Sequence, residues 1–316
     1  NACTGTQGYG DARRMAQEVA QQLGLEEREV LVCSTGLIGE PLPMAAVSHG
    51  IKAAVAQLSS EGGDDAAQAI LTTDTRPKQV QARVETPQGA YTSGGMAKGA
   101  GMLAPELATM LVVLTTDAQL TPAVAQSALE QACERSFNRT DSDGCMSTND
   151  TVILLASGAS GYQPDPAEFT AHLTELAQDL ALQLVADAEG ASHEVAVTVR
   201  GAHSEAAAVV VARAVARSNL FKTAIAGNDP NWGRILSAAG TVPAAQAPFD
   251  PSQVDVAVNG VTVSRGGGVG DSRELVDLAP RQVQVEIDLH AGSEQATVWT
   301  NDLTHAYVSI NADYSS

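Results

Sequence analysis

The segment 98–114, "KGAGMLAPELATMLVVL", decides how this chain is organised. It joins a loop rich in glycine and proline to an apolar run that begins at Thr109 and is typical of a buried strand. A loop that only reverses the chain does not need a lysine at one end and a threonine where the core strand begins. Two interpretations of Thr109 are therefore open: a β-branched residue that starts a strand, and a nucleophile.

Outward from this segment, helix and strand patterns follow one another without strict alternation. Apolar residues at helical spacing predict helices at 11–25, 41–60, 64–73, 121–137, 165–190 and 204–218. Alternating or continuous apolar runs predict strands at 29–35, 78–85, 109–117, 193–201 and 222–227, then short strands from 254 to the end, including 306–316. This mixture predicts an α/β fold with mixed or antiparallel sheets and a smaller C-terminal α/β lobe.

Composition limits the classes of partner. The 316 residues are 44% hydrophobic but only 3% aromatic, so Ala, Val and Leu must fill the core. A net charge of −19 argues against nucleic acid or an anionic membrane as partner. The four cysteines show no metal-binding spacing, which favours a reducing, cytoplasmic location. No apolar run approaches the length of a membrane span, and because the sequence does not begin with Met, we expect it either to be processed or to lack an N-terminal piece.

Several motifs that could carry chemistry are rejected on their spacing. Lys98 precedes its glycine and leads into a strand, whereas a P-loop lysine follows the last glycine and leads into a helix. The six histidines form no metal-binding pair, and no serine-hydrolase elbow is present. The segment 141–151, "DSDGCMSTNDT", lacks the spacing of a calcium loop and is predicted to be a hydrogen-bonded turn.

The segment 34–43, "STGLIGEPLP", allows two interpretations. Small residues after a strand leave backbone N–H groups free, which is how an oxyanion hole is built. The same residues also suit an ordinary turn with Gly36 and Gly39 at positive φ, and the residues alone favour that turn.

The chemistry open to Thr109 is that of an N-terminal nucleophile. Its hydroxyl would attack the carbonyl of Ala108, and hydrolysis of the resulting ester would free a new amino terminus. An α-amino group titrates at about 7.7–8.0, so it is a suitable base for the hydroxyl of the same residue. A Gly- and Pro-rich loop before a strand offers the flexible and rigid parts that this reaction needs.

Longer motifs add a resemblance that runs in order along the whole chain. They are "STGLIGEPLP", "TTDTRPK", "GGMAKGAGMLAPELATML", "SFNRTDSDGCMSTNDT", "KTAIAGNDPNWGRI" and "INADYSS". Together they resemble the ornithine acetyltransferase family, also called glutamate N-acetyltransferases, which are self-processing enzymes. The resemblance implies an αββα sandwich with an additional smaller domain. It also implies cleavage between Ala108 and Thr109 into an α chain, 1–108, and a β chain, 109–316, that stay together as one catalytic unit, in an α2β2 assembly.

The resemblance implies a ping-pong reaction without a metal or a resident cofactor. Acetyl passes from N2-acetylornithine to the Thr109 hydroxyl, ornithine leaves, and glutamate takes the acetyl to give N-acetylglutamate. Some members also use acetyl-coenzyme A as donor, and this sequence leaves that choice open. The enzyme would serve arginine biosynthesis or a related secondary pathway.

The site residues implied by the resemblance are carried over position by position. Thr109 is the nucleophile, and Thr35 with Gly36 forms the oxyanion hole, which reverses the preference for an ordinary turn. The substrate-binding positions are Thr72, Lys98, Thr109, Glu189, Asn311 and Ser316. A lysine suits the α-carboxylate of the substrate, and a glutamate suits the δ-ammonium of ornithine.

Two other interpretations stay open. An N-terminal-nucleophile aminopeptidase or amidohydrolase would pass the acyl group to water rather than to glutamate. A non-enzymatic acidic scaffold would remain uncleaved.

Overall fold

The structure, a computed structural model, describes residues 1–104 and 110–313. The helices, in chain order, are α1 (Gly5–Leu23), α2 (Met44–Ala56), α3 (Gly63–Ala69), α4 (Pro122–Glu134), α5 (Pro166–Ala186), α6 (Glu205–Ala216), α7 (Asn219–Ala226), α8 (Trp232–Ala239) and α9 (His305–Asp313). The strands are β1 (Lys78–Thr86), β2 (Gly89–Lys98), β3 (Leu111–Thr116), β4 (Thr151–Ala156), β5 (Glu194–Ala202), β6 (Asp255–Val258), β7 (Val261–Arg265), β8 (Gly268–Val269), β9 (Gln282–Asp288) and β10 (Glu294–Asn301). Within the described ranges, every helix is too short or too polar to cross a membrane.

Strands β1 to β4 form a four-stranded sheet in chain order. β1–β2 and β2–β3 are antiparallel, whereas β3 and β4 are parallel. The crossover helix α4 between β3 and β4 starts as predicted, because Thr121 accepts a hydrogen bond from Val124 N–H and Pro122 is the first helical residue. α5 packs against α4, β1 and β2, and its apolar stripe, which includes Phe169 and Leu180, is fully buried.

Strands β5 to β10 form a six-stranded sheet in the order β10-β5-β9-β6-β7-β8. The β5–β9 pair is parallel and the other pairs are antiparallel. α6 lies across β5 and β10, and valines and alanines from these three elements make up much of a second core. The small aliphatic side chains of both cores agree with the low aromatic content. The predicted α/β fold with mixed sheets is confirmed.

The register of the first sheet brings the ends of its four strands to one edge. Lys98 at the end of β2 pairs with Leu111 at the start of β3, and Leu111 pairs with Thr151 at the start of β4. Lys78, the first residue of β1, pairs with Ala97. The segments that precede β1 and β4 and the segment that follows β2 therefore leave the sheet together. We refer to this as the site edge.

The strand predicted at 29–35 is wrong. A short 3-10 turn, Glu27–Glu29, is followed by backbone that is extended at Val30 but pairs with no strand of the described residues. Leu31 is 61% exposed, so the apolar run that suggested a buried strand is not covered. Extended backbone becomes a strand only where a neighbour accepts its hydrogen bonds.

The strand predicted at 222–227 is also wrong, because this segment belongs to α7. Ser218 caps the helix by accepting a hydrogen bond from Phe221 N–H. Phe221, Ala224 and Ile225 then lie on one buried face at helical spacing. Six residues are too few to separate an alternating pattern from a helical one.

The strand predicted at 306–316 is wrong as far as the structure describes it. Its residues up to Asp313 belong to α9, whose first turn is held by a hydrogen bond from Tyr307 N–H to Thr304 Oγ1 at 3.2 Å. A threonine just before the helix thus supplies a cap that the alternation of apolar and polar residues hides.

Candidate active site

A cavity of about 130 Å³ opens at the site edge. Six of the predicted site residues line it, namely Thr35, Gly36, Thr72, Lys98, Glu189 and Asn311. The remaining lining residues were not predicted as site residues; they are Ile38, Thr73, Ala100, Gly101, Met102, Ser147, Thr148 and Asn149. The predicted residues Ala108, Thr109 and Ser316 lie outside the described residues.

Lys98 supplies the positive charge of the cavity. Its side chain is 2% exposed, its Nζ donates to Thr72 Oγ1 at 2.8 Å, and Asp74 Oδ2 lies 3.7 Å away. Burial lowers the pKa of the Lys98 ammonium, and the charge of Asp74 opposes that shift. A cation held in so little water interacts strongly with an anion that enters the cavity.

Lys98 is held by a buried charge network behind the cavity, which consists of Asp74, Lys78 and Asp187. Lys78 Nζ lies 2.6 Å from Asp74 Oδ1 and 2.6 Å from Asp187 Oδ2, and its side chain is fully buried. Gly99 N–H donates to Asp74 Oδ1 at 2.6 Å. Burial raises the pKa of Asp74. The hydrogen bonds from Gly99 and Lys78 and the charges of Lys78 and Lys98 together lower it by more, so the pKa of Asp74 lies below its usual value.

Glu189 supplies the negative charge of the cavity. Its backbone N–H donates to Ala100 O at 2.8 Å, which attaches the turn after α5 to the loop after β2. Asn311 on α9 donates through Nδ2 to Glu189 Oε2 at 3.0 Å. Gly101 lies against this carboxylate, since a Cβ at that position would be 2.8 Å from Glu189 Oε2 and would displace it.

The loop that carries Thr35 and Gly36 has free backbone donors. In the part of the chain that the structure describes, no acceptor receives the N–H of either residue. The loop itself is fixed by Asn1, whose Nδ2 donates to Leu37 O at 2.7 Å and to Glu40 O at 2.6 Å. Two adjacent, unpaired N–H groups on a fixed loop suit a developing oxyanion.

The start of β3 is fixed by a carboxylate. Met110 N–H donates to Asp150 Oδ1 at 2.9 Å, and Met110 O accepts from Thr151 N–H at 3.0 Å. Burial raises the pKa of Asp150 to about 7, although the Met110 N–H opposes the shift. Met110 directly follows the predicted nucleophile in sequence. Met110 itself is held by Asp150 and by Thr151 at the start of β4.

Sequence reasoning missed the charge network, although one signal could have shown it. In the alternating strand 78–85, Lys78 shares the apolar phase with Val80 and Val84, and an ionisable residue in that phase must be buried. Asp187, the residue directly after α5, follows the buried Leu184 by three residues and so continues the spacing of the buried face. No comparable signal exists for Asn149, whose position depends on a turn.

The charges of the cavity suit a zwitterion. Among its described lining residues, only Lys98 and Glu189 are ionisable, one of each sign. The other polar groups are hydroxyls, amides and backbone N–H groups, which orient a ligand without adding charge. No group of three His, Cys, Asp or Glu residues able to hold a metal ion occurs within 1–104 and 110–313.

Comparisons with known proteins identify the family of the chain. The ArgJ family model matches residues 1–316. The arginine biosynthesis bifunctional proteins ArgJ of Bifidobacterium longum and Thermobifida fusca are 55% and 56% identical, each over 100% of this chain and 81% of its own length. A crystallised ArgJ chain from Bacillus halodurans is 35% identical with a TM-score of 0.60, and the match covers 63% of this chain and 97% of the crystallised one.

The family model covers the whole chain, and relatives more than half identical extend over all of it. The predicted site residues Thr35, Gly36, Thr72, Lys98, Glu189 and Asn311 line one cavity of this chain. The chain belongs to the ArgJ family.

Proposed function

We propose that this ArgJ-family enzyme is a self-cleaving ornithine acetyltransferase. It transfers acetyl from N2-acetylornithine to the Thr109 hydroxyl, releases ornithine, and passes the acetyl to glutamate to give N-acetylglutamate. The observation that carries the proposal is one cavity lined by a buried cation, Lys98, by a carboxylate, Glu189, and by the Thr35–Gly36 loop with its free N–H groups.

The cavity gives each part of the donor a matching group. Lys98, held by Thr72 and Asp74, binds the α-carboxylate, and Glu189, oriented by Asn311, binds the δ-ammonium. Fixing both ends of the amino acid places its acetylated nitrogen between them. The N–H groups of Thr35 and Gly36 then stabilise the oxyanion that forms when Thr109 attacks the acetyl carbonyl.

The Thr109 amino group, freed by cleavage of the Ala108–Thr109 bond, is the proposed general base, and Ser316 is a proposed substrate contact. One observation supports cleavage. Met110 is fixed by Asp150 and by β4, which gives the rigid side that the reaction needs.

The α chain 1–108 and β chain 109–316 are proposed to remain associated and to assemble as α2β2. We also place the enzyme in the cytoplasm, because the cysteines Cys3, Cys33, Cys133 and Cys145 are all free thiols. Neither a metal nor a resident cofactor is part of the proposed reaction.

The test is a comparison of wild type with Thr109→Ala. Wild type should give two bands on a denaturing gel, and Edman sequencing of the larger product should begin "TMLVVL". Thr109→Ala should give one band and no acetyl transfer. A Thr109→Ala chain that still divides at this bond would refute the proposal, and acetate release without glutamate would point to an amidohydrolase instead.

The activity assay should compare two acetyl donors. N2-acetylornithine is expected to support N-acetylglutamate formation in wild type. Acetyl-coenzyme A belongs in the same assay, because the relatives carry the word bifunctional in their name.

A further inference from the structure

One cavity has to accept two amino acids whose side chains carry opposite charges, and this follows from the proposed function. In a ping-pong transfer the acetyl stays on one residue, so ornithine and glutamate must occupy the same place in turn. Glu189 attracts the ornithine ammonium but repels the side-chain carboxylate of glutamate. The acceptor therefore needs a second group for its side chain.

That second group cannot be a cation of the described cavity. Lys98 is the one positively charged residue among its described lining residues, and the α-carboxylate occupies it. The side-chain carboxylate of glutamate must then be received by neutral N–H or O–H donors. Among these donors, the ones available to a ligand are those that donate no hydrogen bond to another described residue.

Asn149 is the strongest such donor in the cavity wall. Its Oδ1 accepts from Thr148 Oγ1 at 2.8 Å, and no described residue accepts a hydrogen bond from its Nδ2. The turn that carries it is fixed, because Asn149 N–H donates to Ser147 Oγ at 3.3 Å and Asn149 O accepts from Thr151 Oγ1 at 3.1 Å. A fixed amide with two free N–H groups suits a carboxylate.

Thr73 adds a hydroxyl to the same cavity. Its side chain lines the cavity and has no hydrogen-bond partner among residues 1–104 and 110–313. The hydroxyl of Thr35 also has no hydrogen-bond partner among the described residues, but Thr35 belongs to the proposed oxyanion hole. We propose that Asn149, assisted by Thr73, binds the side-chain carboxylate of the acceptor glutamate, while Glu189 and Asn311 bind the side-chain ammonium of the donor.

The test separates the two half-reactions in Asn149→Asp, which replaces the two N–H donors by a charged oxygen of similar size. The first half-reaction, release of ornithine from N2-acetylornithine, should keep its KM within about two-fold. The KM for glutamate in the second half-reaction should rise about ten- to a hundred-fold, the range for a lost hydrogen bond to a charged group. Asn219→Asp adds one negative charge at an exposed position on α7 and should change neither KM.

A change of acceptor preference gives a readout that a merely structural role would not produce. Glutamine has the shape of glutamate but carries an amide that can donate to the introduced carboxylate. The ratio of kcat/KM for glutamine to that for glutamate should therefore increase at least about ten-fold in Asn149→Asp. Glu189→Gln should show the opposite selectivity, with a raised KM for N2-acetylornithine and an unchanged or lower KM for glutamate.

Thr73→Val is the second variant, and it should raise the KM for glutamate by a smaller factor than Asn149→Asp. An unchanged KM for glutamate in an active Asn149→Asp enzyme, or equal increases for both substrates, would overturn the assignment while leaving the proposed function intact. If wild type releases no ornithine from N2-acetylornithine, the proposed function fails, and the assignment fails with it.

Discussion

At the scale of single residues, the site depends on buried charges that compensate one another. Asp74 and Asp187 share the ammonium of Lys78, and Asp74 also approaches Lys98. Counted together with Lys98, the network has two positive and two negative side chains and no net charge. Because Lys78 is paired with both carboxylates, Lys98 keeps only a loose ion pair with Asp74 and remains available to a ligand. Such a network is expensive to break, since a buried charge without its partner remains desolvated.

The first prediction concerns Lys78. We expect Lys78→Met to lower the free energy of unfolding by about 3–5 kcal/mol, because Asp74 and Asp187 lose their shared partner in the interior. Urea denaturation at pH 7 measures this difference. The matched control on the same strand is Arg83→Met, which breaks an exposed ion pair between Arg83 Nε and Glu85 Oε1 at 2.9 Å and should cost less than about 1 kcal/mol. Equal losses in the two variants would contradict a stabilising role of the buried network.

At the scale of secondary-structure elements, α9 completes the cavity from outside both sheets. None of its residues is buried, so its position depends on its first turn and on Asn311. Gly190 lies against that first turn: its φ is 67°, and a Cβ there would lie 2.3 Å from Tyr307 N. Thr304 Oγ1 donates to Gly190 O, which joins the same two segments. The close approach of Gly190 to α9 therefore sets the distance between Asn311 and Glu189.

The second prediction concerns Gly190→Ala. The added methyl group must displace α9 and so separate Asn311 from Glu189, and we expect the KM for N2-acetylornithine to increase by about ten-fold. The matched control is Gly161→Ala, because Gly161 has a similar φ of 66° and open space around its Cβ position. That control should lose about 1–2 kcal/mol of stability from backbone conformation alone and keep the wild-type KM. Similar KM values in both variants would show that α9 does not position Asn311.

Elements with a local signal were predictable from sequence, and elements that depend on distant partners were not. Thr121–Pro122 and Asp165–Pro166 start α4 and α5 as their cap chemistry predicts. The strand predicted at 29–35 fails because no strand of the described residues pairs with it, which no local pattern can reveal. The predicted end of the long helix at Gly190 is late, since α5 ends at Ala186 and Gly190 belongs to the following turn.

The residues of the candidate site likewise divide into those that a sequence pattern could predict and those that it could not. Its residues were identified through motifs spread over the whole chain, and six of them do line one cavity. Spacing alone could not bring Thr35, Lys98 and Glu189 together, because their proximity results from the strand register and from contacts between loops. Lys78 was within reach of sequence reasoning through its phase on β1. The role of Asn149 could not be predicted in this way, because a residue in a turn belongs to no repeating pattern of buried and exposed positions.

At the scale of the whole molecule, a polar seam joins the two cores. Lys222 on α7 is 3% exposed, and its Nζ donates to Ser142 O at 2.5 Å and to Thr300 Oγ1 at 2.9 Å. Ser142 Oγ donates to Asn301 Oδ1 at 2.8 Å, and Asn301 Nδ2 donates to Val185 O at 2.7 Å. Burial lowers the pKa of Lys222 to about 8, with nearby aspartates opposing the shift. The six-stranded sheet is thus attached to the end of α5 and to the turn beside the cavity.

The third prediction belongs to the scale of the whole molecule and concerns refolding. Under the proposed cleavage, β2 and β3 belong to different chains, although six residue pairs from Ser93–Thr116 to Lys98–Leu111 join them side by side. We expect the cut chains to elute together from a sizing column in native buffer and to separate in urea. After dilution from urea, the yield of cleaved protein should depend on protein concentration, whereas that of the uncut Thr109→Ala chain should not. A cleaved protein whose refolding ignores concentration would contradict this arrangement.

The pairing of β2 with β3 also makes folding before the proposed cleavage different from folding after it. Before cleavage, the two strands find each other within one polypeptide, so folding is unimolecular. Under the proposed cleavage, the same sheet would hold two polypeptides, and any later loss of structure would have to be repaired by a bimolecular encounter. An uncut chain that unfolds can therefore refold alone, whereas the proposed cleaved enzyme would have to bring its two chains together again. For such a two-chain enzyme we expect the rate at which β2 and β3 separate to limit its working lifetime, in addition to the equilibrium stability of the fold.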